Sequence, residues 1–227
     1  PHIAQAMVES GYVNYPKDAF DKFLGRNAPA YVERIRLTPS DAIELLVKNG
    51  AIPIMAHPTF AIPNMNKDGL SKLTEMLVEM KEAGLVDRIG ISVYDAAQID
   101  QVMDKFQIDI IQVPFNVFDQ RLERSGHLQS LKDSNIVIQA RSVFLQGLVL
   151  MEPREIPAYF NLARPLLSQF HRDVAEAGLT AVSAALHFVR QNQYVDQVVE
   201  GVTSVDELAQ NMNPWFDQDS YNIDYSA

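Results

Sequence analysis

Residues 88–141 read RIGISVYDAAQIDQVMDKFQIDIIQVPFNVFDQRLERSGHLQSLKDSNIVIQAR, and short apolar runs alternate with longer amphipathic segments along them. Three of the runs are rich in Ile and Val and almost continuously apolar: 88–93, 109–114 and 136–141. Strands that are apolar on both faces are typical of a parallel sheet that is covered on both sides. The segments between them, 96–106 and 120–133, have the spacing of amphipathic helices. The stretch therefore predicts βαβ units.

The same alternation continues on both sides of this stretch. Further strands are predicted at 51–56 and 197–200, and further helices at 67–83, 156–177, 181–191 and 205–212. The resulting strand count is five, whereas a closed (β/α) barrel needs about eight. We therefore expect an α/β fold that is a partial or composite (β/α) barrel, an open sheet, or a chain that completes itself by association. Exposed sheet edges would then favour self-association.

Three regions follow one another along the chain. Residues 1–50 read as a small helical segment with short helices at 3–10, 18–24 and 42–48, residues 51–213 as the barrel portion, and residues 214–227 as an acidic tail without periodicity. The first residue is Pro1 and not Met. This suggests that an N-terminal portion is absent, and a truncated or a composite chain are both open.

Composition limits the functional classes. The 227 residues include 19 Lys and Arg against 29 Asp and Glu, a net charge of −10, whereas nucleic-acid binders need a basic surface. The absence of Cys excludes disulfides, thiolate metal sites and a cysteine nucleophile, and it fits a cytoplasmic location. No apolar run is long enough to suggest a membrane span. We expect neither nucleic acid nor membrane as a partner.

Polar residues follow the predicted strands at the end where parallel α/β folds bind ligands. They are His57, Ser92, Tyr94, Gln112, Asn116, Arg141, Ser142, Gln146, Gly147 and residues 201–204. His57 could ligate a metal, transfer a proton, or be a structural histidine with hydrogen bonds at a strand end. Gln112 interrupts an apolar strand, and its amide needs a hydrogen-bond partner from a ligand, the protein or water.

A further signal lies directly after the last predicted strand. Residues 203–207 read TSVDE, a capping-box pattern in which Glu207 can reach back to the backbone nitrogen of the cap residue. The N-terminus of such a helix favours an anion such as phosphate, although every capped helix after a strand offers the same feature. Gly-x-Ser-x-Gly, Walker A and Gly-x-Gly-x-x-Gly patterns are absent from the sequence.

Residues 88–213 resemble the C-terminal half of an aldo/keto reductase. The matching segments are 89–94 (IGISVY), 111–116 (IQVPFN), 119–121 (DQR), 141–147 (RSVFLQG) and 199–211 (VEGVTSVDELAQN). That family is a (β/α) barrel that reduces aldehydes and ketones with NADPH. The resemblance therefore implies an NADP(H)-dependent oxidoreductase that acts on a small-molecule carbonyl substrate by hydride transfer.

The resemblance also implies a role for each matching position. Ser92 and Gln112 would hold the nicotinamide carboxamide, and the loop that contains Arg141, Ser142 and Gly147 would cover the pyrophosphate. The adenosine 2′-phosphate end would be held by Gly201, Ser204, Glu207 and Asn211. Val93 stands where many members have Asn. No segment matches the family's Tyr, Lys and Asp, so the catalytic set is incomplete and His57 is the one retained candidate near the carbonyl.

Residues 1–58 resemble a different family, the middle of PHP-domain metal-dependent phosphoesterases. The similar segments are 1–12 (PHIAQAMVESGY), 19–20 (AF), 24–26 (LGR), 29–32 (PAYV) and 56–58 (AHP). In that family the histidine of the last element is a metal ligand, so His57 acquires this second interpretation, although an early His-x-His is absent. The alternatives to a reductase are therefore a PHP-type phosphoesterase and a non-catalytic fragment or chimeric scaffold.

Overall fold

The chain divides into two compact units, Pro1–Asn64 and Met65–Ala227. The computed structural model describes residues 2–26, 28–32, 37–56 and 69–216. The boundary between the units lies after residue 64, whereas the sequence analysis placed it after residue 50. His57, the predicted catalytic residue, lies outside the described residues. Most of the predicted acidic tail, residues 217–227, also lies outside them.

The first unit is helical. Helix α1 (His2–Glu9) is followed by α2 (Pro16–Ala19), which continues as a π-helical turn over Phe20–Leu24, and then by α3 (Pro39–Lys48). The helices predicted in this region are therefore confirmed. Thr38 starts α3 with a reciprocal cap, since its Oγ1 accepts from the Asp41 nitrogen at 3.2 Å and its own nitrogen donates to the Asp41 carboxylate at 3.3 Å.

The strand predicted at 51–56 is not formed, and that prediction was wrong. These residues have no regular secondary structure, and their side chains are exposed: Ile52 is 82 % exposed and Ile54 is 69 % exposed. A strand needs a neighbour to satisfy its backbone hydrogen bonds, and no described strand pairs with this segment. An apolar run alone was not sufficient.

The second unit is built on a parallel sheet of four strands in the order β1-β2-β3-β4. The strands are β1 (Gly90–Ser92), β2 (Ile110–Pro114), β3 (Val137–Arg141) and β4 (Gln197–Val199). The helices are α4 (Gly69–Glu82), α5 (Ala96–Lys105), α6 (Arg121–Arg124), α7 (His127–Asp133), α8 (Arg164–Glu176), α9 (Ala181–Gln191) and α10 (Val205–Phe216). Each crossover between strands is helical, which confirms the predicted α/β class and the partial barrel.

Three helices differ from their predictions the most. The helix expected at 120–133 is divided in two by Gly126, whose φ of 79° is left-handed and cannot continue a helix. The helix expected from residue 156 begins at Arg164, because Pro165 occupies its first turn and a short 3-10 turn, Ala158–Phe160, precedes it. Helix α10 continues to Phe216, so the first residues assigned to the acidic tail are helical.

The two faces of the sheet differ in polarity. On one face Ile111, Val113, Ile138 and Ala140 are fully buried. They pack in a core with side chains of the surrounding helices, which include Ile99, Val102, Leu122, Leu128, Leu131, Phe170, Val174, Leu186 and Val189. Because strand side chains alternate between faces, the alternate residues of the strands form the other, more polar face. This face is partly exposed and also carries apolar residues such as Ile110 and Pro114.

The outer strands β1 and β4 are mostly exposed. Within the described part of the chain, no strand pairs with the outer edge of either one. Both edges of the sheet are therefore unpaired as far as the described residues go. None of the described helices combines the length and apolar character that crossing a membrane requires.

Candidate active site

A row of polar side chains crosses the polar face of the sheet. Ser92, Gln112, Gln139 and Gln197 are register partners on the four strands. The Ser92 Oγ lies 3.4 Å from Gln112 Oε1, the Gln112 amide donates to Gln139 at 3.3 Å, and the Gln139 amide donates to Gln197 at 2.8 Å. Because parallel strands lie about 4.8 Å apart, identical amides in register can donate in sequence to one another.

This row answers the question that the sequence left open for Gln112. Its amide is satisfied by side chains of the neighbouring strands. Sequence reasoning missed Gln139 and Gln197, of which Gln139 is buried. The available signal was the repeat of Gln as the third residue of two apolar runs, IIQVP and VIQAR.

Arg141 connects the carboxyl end of β3 with that of β1. Its Nε donates to Ser92 Oγ at 3.2 Å, and its Nη2 donates to the Val93 carbonyl at 3.0 Å. Its guanidinium carbon lies 4.4 Å from the ring centre of Tyr94, a cation–π arrangement. The structure therefore brings together Ser92, Gln112 and Arg141, three of the residues singled out from the sequence.

The loop that follows β3 has an unusual backbone. Ser142, Leu145 and Gln146 have φ values of 60°, 47° and 59°, a left-handed conformation that residues other than glycine seldom adopt, and Gly147 continues it at 90°. Such conformations are costly and cluster at functional sites. The expected pyrophosphate loop is thus a conformationally distinct segment.

A buried asparagine holds this loop. Asn116 is fully buried, and its amide donates to the Ser142 carbonyl at 3.0 Å. Its Oδ1 accepts from the backbone nitrogens of Phe118 and Asp119, both at 3.0 Å. Asn116 is therefore a positioning residue that links the turn after β2 to the loop after β3.

The residues after β4 form a second polar group. Ser204 Oγ accepts from the Glu207 nitrogen at 3.1 Å, and Glu207 Oε2 accepts from the nitrogen and hydroxyl of Thr203 at 2.6 and 2.9 Å. The predicted capping interaction therefore exists, with the difference that Glu207 reaches Thr203, one residue before Ser204. These hydrogen bonds, the backbone N–H of Thr203 first, lower the pKa of Glu207 below its ordinary value.

Glu200 and Asn211 complete this group. The Asn211 amide donates to Glu200 Oε2 at 2.7 Å. Glu200 is half-buried, and its Oε1 is a buried atom without a hydrogen-bond partner in the described part of the chain. Burial raises the pKa of Glu200, and the Asn211 hydrogen bond opposes that shift only in part. Apart from the two neighbours of Gly201 in the chain, no described residue has an atom within 4 Å of the position that a Cβ at Gly201 would take.

The sequence also matches a known protein family. The sequence model of the aldo/keto reductase family matches residues 41–225. The chain belongs to the aldo/keto reductase family. The match begins at residue 41 and not near residue 88, so it includes residues 41–58, which the sequence analysis had grouped with the phosphoesterase-like segment. The comparisons do not support that second resemblance, and the described residues contain no cluster of three or more His, Asp or Glu that could hold a metal ion.

The chain spans about half the length of the individual aldo/keto reductases and of the oxidoreductase that it matches. An uncharacterized oxidoreductase of Bacillus subtilis, YqkF, is 23% identical over 155 residues, which are 64% of this chain and 50% of that protein. The aldo-keto reductase AKR11C1 from Bacillus halodurans, in its apo form, matches with a TM-score of 0.55 and 21% identity over 67% of this chain and 53% of its own. The thermostable aldo-keto reductase Tm1743, in complex with the inhibitor epalrestat, matches with a TM-score of 0.50 and 20% identity over 68% and 53%. These structures support the fold.

Proposed function

We propose that this chain is an aldo/keto reductase unit that binds a nicotinamide dinucleotide along the carboxyl edge of its sheet for the reduction of a small-molecule carbonyl compound, with an incomplete catalytic set of its own. The observation that carries the proposal is the convergence of Ser92, Gln112 and Arg141, which come from three strands and meet at that edge. The family resemblance implies NADP(H) as the dinucleotide. When bound, the nicotinamide supplies the hydride, and the protein supplies binding and orientation.

The hydrogen-bonding groups of Ser92 and Gln112 fit a carboxamide. A carboxamide both donates and accepts, and a hydroxyl beside a side-chain amide offers the complementary pair. The contact between the Ser92 and Gln112 oxygens is long, at 3.4 Å, and a long contact is readily exchanged for one to a ligand. Ser92 is also exposed, so the pair can be reached from solvent.

Arg141 and the loop after β3 fit a pyrophosphate. A guanidinium has more N–H donors than the contacts of Arg141 to Ser92, Val93 and Ser142 use, and the remaining ones are suited to phosphate oxygens. The left-handed residues of the loop, fixed by Asn116, supply a shaped backbone beside this charge.

A fluorescence titration of the full chain with NADH and NADPH tests the proposal. We expect saturable binding, and Arg141→Gln should weaken it about tenfold or more, because charge-assisted hydrogen bonds contribute about 1.5–3 kcal/mol. Arg172→Gln is the matched control, since Arg172 lies on α8 and contacts Gln169. The proposal is wrong if neither dinucleotide binds the wild-type chain saturably.

The free edges of the sheet support self-association as part of the proposal. The chain spans about half the length of the relatives that it matches, and β1 and β4 leave backbone groups without a paired strand among the described residues. Light scattering over a range of concentrations should detect dimers, and a monomer at every concentration would contradict this part.

The absence of cysteine supports the proposed cytoplasmic location.

A further inference from the structure

The chain that follows α9 carries no basic residue. Arg190 is the last Lys or Arg of the sequence, and the acidic residues after it are Asp196, Glu200, Asp206, Glu207, Asp217, Asp219 and Asp224. Because α9 leads into the start of β4, Arg190 lies toward the amino edge of the sheet, whereas residues 201–211 follow the carboxyl edge. The segment that would meet the adenosine end of a dinucleotide is therefore acidic.

The polar groups of this segment are already engaged with one another. Glu207 accepts a hydrogen bond from the Thr203 N–H, and the Ser204 hydroxyl accepts one from the N–H of Glu207. Asp206 and Glu207 place two carboxylates in the first turn of α10, where they offset the positive end of the helix dipole. A phosphate monoester, which carries nearly two negative charges, would have to displace these contacts without gaining a cation from this segment.

A ribose hydroxyl, unlike a phosphate, is compatible with these carboxylates. It can donate a hydrogen bond, and carboxylates accept such bonds from ribose in dinucleotide sites, whereas arginine is the residue that accommodates a 2′-phosphate. Glu207 is exposed, whereas Glu200, the residue before Gly201, is half-buried and has one buried carboxylate oxygen without a hydrogen-bond partner among the described groups. The side chains of this segment therefore fit the hydroxyl groups of a ribose and do not fit a 2′-phosphate.

We infer that Glu200 and Glu207 make this site selective for a free 2′-hydroxyl, so that the chain prefers NAD(H) to NADP(H). The inference rests on the proposed dinucleotide site, and it departs from the NADP(H) that the family resemblance implies. Glu200 acts in part through Asn211, whose amide it holds at 2.7 Å. Glu207 acts directly, through its charge and its position at the start of α10.

Binding of the two cofactors to the full chain, measured by fluorescence and checked by calorimetry, tests the inference. We expect NADH to bind about tenfold or more tightly than NADPH, a difference of about 1.4 kcal/mol. Val202→Arg should raise the affinity for NADPH and leave that for NADH nearly unchanged, because Val202 adjoins Gly201 and is 41% exposed. Leu85→Arg adds the same charge at an exposed position ahead of β1, near the amino edge, and should change neither affinity.

Two further variants test whether the cofactor preference depends on the contacts of Glu207 or only on the net charge of this segment. Glu207→Gln should narrow the preference for NADH more than Asp206→Asn, which removes the same charge from the neighbouring residue. Equal binding of both cofactors, or tighter binding of NADPH by the wild-type chain, would overturn the inference while leaving the proposed function intact. Binding of neither cofactor would overturn both, and binding of 5′-ADP in preference to 2′,5′-ADP would support the inference without the nicotinamide.

Discussion

The amino edge and the carboxyl edge of the sheet are built from different kinds of contact. At the amino edge, Asp109 precedes β2 and Asp196 precedes β4. Asp109 accepts from Lys81 Nζ at 2.5 Å and from the Ile89 nitrogen at 2.9 Å. Asp196 accepts in the same way from Lys132 Nζ at 2.6 Å and from the Ile138 nitrogen at 2.8 Å.

At the carboxyl edge, the described side-chain contacts between the first three strands are longer, and the shortest is that of Arg141 Nη2 to the Val93 carbonyl at 3.0 Å. Ser92, Gln112 and Arg141 meet there at 3.2–3.4 Å, and Tyr94 and Ser92 are exposed. Short bonds to ionised groups stabilise a fold, whereas longer contacts are more easily exchanged for contacts to a ligand. The comparison indicates that the amino edge holds the strands in register and the carboxyl edge is left available for binding.

Among substitutions at the two edges, Asp196→Ala is expected to have the largest effect on stability. The change removes the partner of Lys132 and of the Ile138 backbone nitrogen, and we expect the free energy of unfolding to fall by about 2–3 kcal/mol. Urea unfolding measures it, with Asp104→Ala as a control because Asp104 is an exposed aspartate on α5. A loss no greater than that of the control would mean that the amino edge does not stabilise the sheet.

Acid pH should have a smaller effect through Asp109. Burial alone would raise its pKa, but the hydrogen bonds from Lys81 and Ile89 outweigh burial and the pKa is lowered. Since the folded state lowers this pKa, Asp109 stabilises the fold above the ordinary aspartate pKa of 3.8, and the contribution is lost as pH falls through the lowered value. Urea unfolding at several pH values below 5 should show a shallower decline for Asp109→Asn than for the wild type, and parallel curves would contradict this role.

The smallest effect on stability is expected from Ser92→Ala at the carboxyl edge. Its hydroxyl is exposed and makes only long contacts, so the free energy of unfolding should change by no more than about 0.5 kcal/mol. The affinity for a dinucleotide should nevertheless fall severalfold. If unfolding were affected strongly and binding not at all, the two edges would not divide stability and binding as the comparison indicates.

Local patterns in the sequence were enough for much of the fold. The strands at 90–92, 110–114, 137–141 and 197–199 lie within predicted runs, and α9 has its predicted bounds. The helix cap predicted at residues 203–207 likewise depends on residues that lie only a few positions apart. Such signals could be read because all of the interacting groups lie within one turn or one short run.

The candidate site could be predicted only in part. Motif similarity identified Ser92, Gln112 and Arg141, but not the row of amides that joins Gln112 to Gln139 and Gln197. The phosphoesterase resemblance of residues 1–58 found no support, since short segments such as Ala-His-Pro occur in more than one family. Asn116 was noted as a polar residue near a strand end, yet its bond to Ser142 became visible only in the folded chain.

The sequence by itself determined the parallel α/β class, the starts of α5, α9 and α10, and the acidic character of the C-terminal segment, because these depend on composition and on residues close together in the chain. The tertiary structure alone decided that residues 51–56 form no strand, that Arg141 reaches Ser92, and that Glu207 bonds to Thr203. Strand pairing joins residues far apart in sequence, such as Gln139 and Gln197, and its register follows from the packing of whole elements. A local pattern predicts that a strand can form, and the neighbouring strands determine whether it does and which side chains meet.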